Sequence, residues 1–395
     1  MSNTGGSRTL LKSATRIGLV LTLGLGLAGC AASALDMTAS LPSFSNPLAS
    51  KPTGSPVPVT MFIASTRPVE KTSIRRNGGE GTAHFSMATV DVPPQHHAGV
   101  IEQPSFGAPD PAKHFVVARN RSLSADEFKN SVATNLSGRV GSNRDILVFV
   151  HGYNTGFDEA RLRLAQIVAD GRFGGVPILF TWPTRGEITA YVSDKDSATA
   201  SRDALTRMFL ELSQIPDVGR IHVLAHSMGA WLAMEGLREA GIGGHAGLDG
   251  RLGEVMLAAP DIDLAVFRQQ IARIGSPHVS VFVSSNDRAL TLSSLIARDR
   301  PRVGAMNPRN EGERLELKRL GVTIYDISGA PRGMIGHDVY ADAPQVIRLI
   351  GAELGRSRDD DSQVSAVLGN RDADTAATPT VSADDLPPPT TAAVN

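Results

Sequence analysis

The sequence contains almost no cysteine, no cluster of positive charge and no apolar run long enough to span a membrane comfortably. Cys30 is the only cysteine among 395 residues, which excludes an internal disulfide. The formal net charge is −1, and no region has the dense basic charge of a nucleic-acid-binding surface, so we expect no nucleic-acid partner. The N-terminal apolar run, residues 17–27, is shorter than a transmembrane helix. With 41% hydrophobic and 20% charged residues, the composition is that of a globular protein.

The first 29 residues have the three-part organisation of a secretory signal peptide. A basic segment without acidic residues precedes the apolar run, and the letters LAGC, ending at Cys30, follow it. This ending resembles the lipobox of bacterial lipoproteins, which are cleaved before the cysteine and carry lipid on it. The resemblance implies lipidation of Cys30, attachment to the membrane through that lipid, and a position in the outer membrane facing the periplasm. An uncleaved anchor and a plain secretory signal are the alternatives.

Composition divides the rest of the chain into three parts. Residues 30–56 are rich in Ser, Ala and Pro and have no periodicity, which predicts a flexible tether. Residues 356–395 are acidic and rich in Pro, Thr and Ala, and they predict a disordered tail. We expect a single folded domain at residues 57–355 and derive no oligomeric state.

Within residues 57–355, short apolar runs alternate with amphipathic stretches. The predicted strands are VPVTMFIAST, AHFSMATVDV, KHFVVARN, DILVFVHGY, VPILFTWP, IHVLA, EVMLAAPD, HVSVFVSSND and GVTIYDIS. The predicted helices begin with a capping box at Ser124 and Glu127, and continue with FDEARLRLAQIVADG, SATASRDALTRMFLELSQI, MGAWLAMEGLREAG, DLAVFRQQIARIG, ALTLSSLIA and APQVIRLIGAEL. This pattern predicts an α/β fold with a mostly parallel central sheet, helices on both faces and no large lid domain. Residues 298–316 form the largest segment without a predicted element.

The junction RIHVLAHSMGAW poses the main question about function, because Ser227 has two interpretations. It is either an ordinary helix N-cap or a nucleophile at a sharp turn between strand and helix. The second interpretation needs small residues two positions before and after the serine, where the two backbones approach closely. Ala225 and Gly229 meet that need, so the usual G-x-S-x-G pattern appears as A-x-S-x-G.

Several chemically active side chains follow the predicted strands, at the edge where open α/β sheets bind ligands. Ser227, Asp287 and His337 occur in the chain order expected of an α/β-hydrolase triad. Histidine is suited to take the serine proton, and a carboxylate orients the imidazole and stabilises its charged form. Asp261 also follows a strand and is the alternative acid.

Three further sets of residues have predicted roles near this edge. The backbone N–H groups of Tyr153 and Met228 are the expected donors of an oxyanion hole. Trp182, Arg185 and Tyr191 are weaker candidates for lining a substrate pocket. His151 is expected to fix its loop rather than react.

The remaining histidines and basic residues in the N-terminal part predict no site. His96 and His97 have no third ligand at metal spacing, so a solvated loop is expected there. The basic residues between the first two strands predict a charged surface loop: Arg67, Lys71, Arg75 and Arg76. We therefore expect neither a metal nor another cofactor.

The motifs together resemble a bacterial esterase/lipase-like α/β-hydrolase family of unknown function. The similar segments are FIASTRP, ILVFVHGYNTGFDEA, PILFTWPTRG, ASRDAL, IHVLAHSMG, LAAPDID, NDRAL and GHDVY, between residues 58 and 350. The resemblance implies an α/β-hydrolase fold and a serine-hydrolase triad of Ser227, Asp287 and His337. We therefore expect cleavage of carboxylic esters through an acyl-enzyme, and the lack of room for a large lid domain favours small or medium acyl groups. A non-catalytic envelope binding protein of the same fold and an acyltransferase with the same triad are the alternatives.

Overall fold

The structure of the chain is a computed structural model. It describes residues 54–68, 82–185, 190–275, 278–284, 290, 300–329, 339–355 and 381–382. The predicted signal peptide, Cys30 and most of the tether lie outside these residues, as do Asp287 and His337. Within the described ranges, no helix combines the length and the apolar character needed to cross a bilayer.

A single twisted sheet forms the centre of the domain, and its strands coincide closely with the apolar runs of the sequence. In chain order they are β1 Val57–Ser65, β2 His84–Val92, β3 Val116–Leu123, β4 Ile146–Val150, β5 Val176–Thr181, β6 Ile221–His226, β7 Leu252–Ala258, β8 Val279–Val283, β9 Thr323–Asp326 and β10 Val381–Ser382. Their spatial order is β10-β9-β8-β7-β6-β4-β5-β1-β2-β3. All neighbours pair in parallel except β1 with β2 and β2 with β3, which are antiparallel. This confirms the predicted mostly parallel sheet.

Helices cover both faces of the sheet, as the continuous apolar character of the strands requires. The described helices are α1 Ala125–Leu136, α2 Phe157–Asp170, α3 Tyr191–Ala200, α4 Arg202–Ser213, α5 Met228–Ile242, α6 Leu264–Ile271, α7 Glu311–Arg319, α8 Val339–Asp342 and α9 Pro344–Leu354. Alternate residues of β4 face opposite layers: Val148 packs with side chains of α1, α4, α5 and α6, whereas Leu147 and Phe149 pack with those of α2 and α9. The domain therefore has three layers with an apolar core on each side of the sheet.

The predicted helix at residues 197–215 is in fact two helices, α3 and α4, which are separated at Ser201. The Ser201 hydroxyl donates to the carbonyl of Ser197 at 2.8 Å and lies 2.8 Å from the hydroxyl of Thr66, which follows β1. A serine that bonds back to the preceding turn bends a helix. In contrast, the predicted capping box at Ser124 and Glu127 is present and opens α1.

Two further elements lie in parts of the chain where the sequence predicted none. Within residues 298–316, the Asn310 side chain accepts from the N–H of Glu313 and opens α7. Val381–Ser382, in the tail predicted to be disordered, pairs as β10 with the edge strand β9, which offers unpaired backbone groups.

The structure also corrects the expectation of a solvated loop at His96. The side chain of His96 is 11% exposed and bridges two carboxylates, with Nδ1 2.8 Å from Glu102 and Nε2 2.9 Å from Asp170 at the end of α2. Burial opposes protonation of the ring, but the hydrogen bonds to both carboxylates outweigh it and raise the pKa of His96. The neighbouring His97 is 80% exposed, as predicted. His96 thus joins the loop after β2 to α2.

Candidate active site

Ser227 lies between β6 and α5 with a backbone conformation that ordinary caps do not have. Its φ is 54° and its ψ is −122°, and its side chain makes no capping hydrogen bond. An N-cap residue has extended φ and ψ and accepts a bond from the first turn, so the interpretation of Ser227 as an ordinary cap is wrong. A non-glycine residue at positive φ is strained, and such strain is concentrated at functional sites.

Backbone hydrogen bonds hold the strained turn in place. The Ser227 N–H donates to the carbonyl of Ala258 at the end of β7, at 2.9 Å. The Ser227 carbonyl accepts from the N–H of Ala230 at 3.0 Å and from that of Asp261 at 3.1 Å. The turn is therefore tied both to its own helix and to the neighbouring strand.

Small residues allow the backbones to approach closely around Ser227. A Cβ atom on Gly229 would lie 2.1 Å from the carbonyl oxygen of His151 and 2.7 Å from that of Val150. A Cβ atom on Gly152 would lie 3.2 Å from the Cβ of Ser227. The first turn of α5 thus rests directly on the end of β4, in the arrangement that the A-x-S-x-G pattern predicts.

Two backbone N–H groups have the positions expected of oxyanion donors. Met228 is the first residue of α5, where N–H groups have no partner inside the helix, and Tyr153 lies in the turn after β4. Neither N–H donates to a backbone acceptor in the described part of the chain. Their role as oxyanion donors stays a prediction.

His151 is the centre of a buried network at the end of β4. Its Nδ1 lies 2.8 Å from the carbonyl oxygen of Gly152 and therefore carries the proton. Its Nε2 accepts from the hydroxyl of Thr181 at 2.9 Å and from the backbone N–H of Trp182 at 3.3 Å. Burial, and secondarily the charge of Arg67, lower the pKa of His151 to about 3. The ring is thus neutral and fully occupied, which fits its predicted role in fixing the loop.

Arg67 is part of this network, which corrects the expectation that it lies in a charged surface loop. Its Nη2 donates to the carbonyl of Thr155 at 2.7 Å and lies 3.3 Å from the Nε2 of His151, and its Nε donates to the hydroxyl of Thr181 at 2.8 Å. Burial lowers the pKa of Arg67 to about 10. Lys71, with the two arginines at 75 and 76, lies outside the described residues.

The three candidate pocket residues have different environments. Trp182 is fully buried, stacks on the ring of His151 and donates from Nε1 to the carbonyl of His151 at 3.0 Å, so it supports the end of β4 from inside the core. The side chain of Arg185 is exposed, while its N–H donates to the buried carboxylate of Asp194 on α3 at 3.1 Å. Of the three, Tyr191 is the one that the structure brings to the turn at Ser227.

Tyr191, at the start of α3, is bonded to the alternative acid Asp261. Its hydroxyl donates to Oδ2 of Asp261 at 2.6 Å, and Nε of Arg302 lies 3.2 Å from Oδ1. Asp261 is 2% exposed, so both oxygens of a buried carboxylate already have partners. The ring of Tyr191 also meets that of Tyr153 edge-on, with a centroid distance of 5.9 Å.

Lys195 lies one turn after Tyr191 on α3 and was not singled out in the sequence. Its Nζ is 3.4 Å from the centroid of the Trp231 ring, one turn after Ser227 on α5. Burial lowers the pKa of Lys195 to about 7. No sequence motif indicates this residue, because the contact depends on the packing of α3 against α5.

The predicted triad members Asp287 and His337 lie outside the described residues, but residues on either side of them are described. The N–H of Ser284 donates to the carbonyl of Gly304 at 3.0 Å, and Leu290 packs against the same glycine, which abuts Ala259 before Asp261. The ring of Tyr340 lies 4.5 Å from that of His226, the residue before Ser227. Ser284, Leu290 and Tyr340 are therefore near the end of β6 or β7. Among the described residues there is no cluster of metal-ligating side chains.

The fold and the turn at Ser227 define the chain as an α/β hydrolase by architecture. The profile of a family described as "Alpha/beta hydrolase of unknown function (DUF900)" matches residues 124–353. Since the match covers more than half of the chain, the protein belongs to this family.

Two solved structures show a distant similarity to the chain. One is an esterase of Pyrobaculum calidifontis in a monoclinic form, with 11% identity over 76% of this chain and 85% of that chain and a TM-score of 0.38. Another is ESTFA in an iron-lacking apo form, with 13% identity over 78% of this chain and 86% of that chain and a TM-score of 0.31. No curated protein matches the chain significantly.

Proposed function

We propose that the protein is a serine hydrolase that cleaves carboxylic esters with Ser227 as nucleophile. The observation that carries the proposal is the strained backbone of Ser227, whose side chain takes no part in capping α5. Strain of this kind persists only where the surroundings enforce it, and here the close contact of Gly229 with the end of β4 does so. A strained turn that leaves a hydroxyl uncommitted is suited to nucleophilic attack.

The base in this proposal is His337, and the contact of Tyr340 supports it. Tyr340 touches the ring of His226, beside the nucleophile. His337 precedes Tyr340 by three residues, and three residues span at most about 11 Å. We therefore expect the imidazole of His337 to reach Ser227, whereas the neutral ring of His151 already uses both of its nitrogens in hydrogen bonds.

The acid in this proposal is Asp287 rather than Asp261. Both oxygens of Asp261 already interact with Tyr191 and Arg302, so an additional histidine would compete with existing partners. Asp287 lies three residues from Ser284 and three from Leu290, both anchored on Gly304 beside the end of β7. We therefore expect the carboxylate of Asp287 at the same edge of the sheet as Ser227.

The reaction follows from these roles. His337 takes the proton of the Ser227 hydroxyl while Oγ of Ser227 bonds to the carbonyl carbon of the ester. The π electron pair of the carbonyl moves to the carbonyl oxygen, which becomes an oxyanion. The N–H groups of Met228 and Tyr153 stabilise that oxyanion, with help from the positive end of α5. When the tetrahedral intermediate collapses, the alcohol leaves with the proton from His337. Water then repeats the sequence on the acyl-enzyme and releases the acid.

We further propose that the substrates have small or medium acyl groups and that lipid on Cys30 holds the protein at a membrane, in the outer membrane facing the periplasm. The rings of Tyr153 and Tyr191 meet edge-on at a centroid distance of 5.9 Å, and two packed rings at one side of a pocket would favour small acyl groups. β1 runs parallel to β5, so the start of β1 lies at the edge of the sheet opposite the one where Ser227 follows β6. A tether that ends at residue 56 therefore joins the domain at the edge away from Ser227. Metabolic labelling with a fatty-acid analogue should give a membrane-bound labelled protein, and Cys30→Ser should abolish the label; an equally labelled variant contradicts the anchor.

Kinetics of substituted proteins test the catalytic proposal. With 4-nitrophenyl butyrate, Ser227→Ala and His337→Gln should each lower kcat by at least about a thousandfold, because triad members act as a unit. Asp287→Asn should lower kcat by a similar factor, whereas Asp261→Asn should act mainly on KM through Tyr191. Loss of turnover in Asp261→Asn with an active Asp287→Asn would overturn the assignment of the acid. Full activity in Ser227→Ala would overturn the proposal itself.

A further inference from the structure

We propose that Lys195 recognises a carboxylate on the acyl group of the substrate. This inference rests on the proposed ester hydrolysis and narrows its substrate class to esters of dicarboxylic acids or similar monoanionic acyl groups. It concerns a side chain that no motif of the sequence marks and that is outside the proposed triad and oxyanion hole.

Lys195 lies on a helix that contacts the turn at Ser227. One turn earlier on the same face of α3, the hydroxyl of Tyr191 binds Asp261, and the Asp261 N–H donates to the carbonyl of Ser227. The Lys195 ammonium itself lies over the ring of Trp231, one turn after Ser227 on α5. Two contacts therefore link α3 to the turn and its helix, and Lys195 makes one of them.

The ammonium of Lys195 has no ion-pair partner within 4 Å and no hydrogen bond in the part of the chain that the structure describes, and the residue is partly buried. The nearby carboxylates have other partners. Asp261 pairs with Arg302, and Glu235 accepts from Gln270 at 2.8 Å and pairs with Arg238 at 3.7 Å. The face of Trp231 compensates part of the charge through a cation–π contact, but a ring is a weaker partner than a carboxylate.

A purely structural role explains Lys195 poorly. Its ammonium lies over the ring of Trp231, yet a methionine would pack against that ring without bringing a charge into a partly buried position. Burial of a charge without a partner is unfavourable, and groups placed in this way are concentrated where a ligand supplies the partner. Because Arg302 is already paired with Asp261, the ammonium of Lys195 is the one positive charge left to bind an anion. A single positive charge matches a carboxylate, with its one negative charge, better than a phosphate dianion.

This arrangement makes recognition of the anion depend on pH. The groups that face the ammonium are Asp261 at the end of β7, Arg302 beside it, and Glu235 and Trp231 on α5, while Tyr191 lies next to it on α3. Since burial lowers the pKa of Lys195 to about 7, the side chain carries its positive charge below pH 7 and loses that charge above it. We therefore expect the affinity for an anionic ester to fall about tenfold between pH 6 and pH 8.

The test compares two substrates that differ in one charge: 4-nitrophenyl hydrogen adipate and its methyl ester. The readout is the ratio of kcat/KM for the anionic ester to that for the neutral one, in which the titration of His337 cancels. Lys195→Met should lower this ratio about tenfold, the size expected for one partly solvated charge-assisted contact. It should also remove the dependence of the ratio on pH. Lys129→Met, the same change on an exposed lysine of α1, is the matched control and should leave the ratio unchanged.

A binding measurement separates this inference from the proposed function. Calorimetry with the full-length Ser227→Ala protein and monomethyl adipate should show weaker binding at pH 8 than at pH 6, and weaker binding again when Lys195→Met is added. If the protein binds monomethyl adipate in this way but does not hydrolyse esters, only the proposed hydrolase activity is overturned. An unchanged ratio in Lys195→Met, or monomethyl adipate binding that is independent of Lys195 and of pH, would overturn the recognition of a carboxylate.

Discussion

Gly229→Ala tests the geometry of the turn at Ser227 most sharply, because the added methyl group has no room. Its carbon would lie 2.1 Å from the carbonyl oxygen of His151 and 2.7 Å from that of Val150. An ordinary carbon–oxygen contact is at least about 3.3 Å, so α5 has to retreat from β4 by about 1 Å. Both oxygens are backbone atoms at the end of a central strand, so a change of side-chain rotamer cannot relieve the clash.

The retreat should reduce both stability and activity. Overpacking of this kind lowers the free energy of unfolding by about 1–3 kcal/mol. We expect a loss near the upper end, about 3 kcal/mol, because the methyl group meets the backbone of β4, which cannot move aside as a side chain can. Displacement of a nucleophile by about 1 Å lowers turnover by about a hundredfold. Urea unfolding followed by circular dichroism measures the first effect, and kcat/KM with 4-nitrophenyl butyrate measures the second.

Gly236→Ala, two turns further along α5, is the matched control. Its methyl group would approach the Leu205 side chain at 3.3 Å, which is a contact with a movable group. The gain in helix propensity is up to about 1 kcal/mol, so the net change in stability should stay within about 1 kcal/mol in either direction. Equal stability and activity of Gly229→Ala and Gly236→Ala would refute the close approach of α5 to β4.

Three other substitutions have defined outcomes. The raised pKa of His96 means that its protonation stabilises the fold, fully below about pH 6.5 and less as the pH rises through the raised value. His96→Gln should therefore lower the thermal midpoint more at pH 5.5 than at pH 8.5. An equal loss at both pH values contradicts the bridge to two carboxylates. Arg67→Met removes the donors to the hydroxyl of Thr181 and to the carbonyl of Thr155, which keeps only its hydrogen bond from the hydroxyl of Thr184. It should reduce the free energy of unfolding, measured in urea, by about 2 kcal/mol. Arg67→Lys should restore little of this loss because one ammonium cannot reach both acceptors, and full rescue by lysine contradicts the fork geometry. Lys195→Met should raise the thermal midpoint, with the full gain below pH 7 and a smaller gain by pH 9, because the lysine resists protonation only in the folded state. A lowered midpoint at pH 6 contradicts the burial of a charge without an ion-pair partner.

Elements that depend on local pattern could be predicted from the sequence. The strands at the centre of the sheet are short β-branched runs buried on both faces, and their apolar letters identify them without tertiary information. The capping box of α1 and the small residues around Ser227 are equally local, since each expresses a backbone requirement at fixed spacing. These signals sufficed for the fold and for the position of the turn.

Features that depend on packing between distant segments could not be predicted. Arg67 and the three basic residues at 71, 75 and 76 look alike in the sequence, yet Arg67 points to buried acceptors that β4 and β5 bring beside it. His96 likewise has no local signal, because its second carboxylate, Asp170, is contributed by a helix far along the chain. The separation of α3 from α4 depends on Thr66 meeting Ser201, across 135 residues.

The most direct measurement of the central claim is covalent labelling of the folded protein with a fluorophosphonate probe, followed by peptide mass spectrometry. An activated serine attacks the probe, whereas an ordinary serine does not. The account predicts a single adduct on Ser227, absent in Ser227→Ala and formed far more slowly in His337→Gln. A folded protein that takes up no label, or an adduct on a different serine, would contradict it.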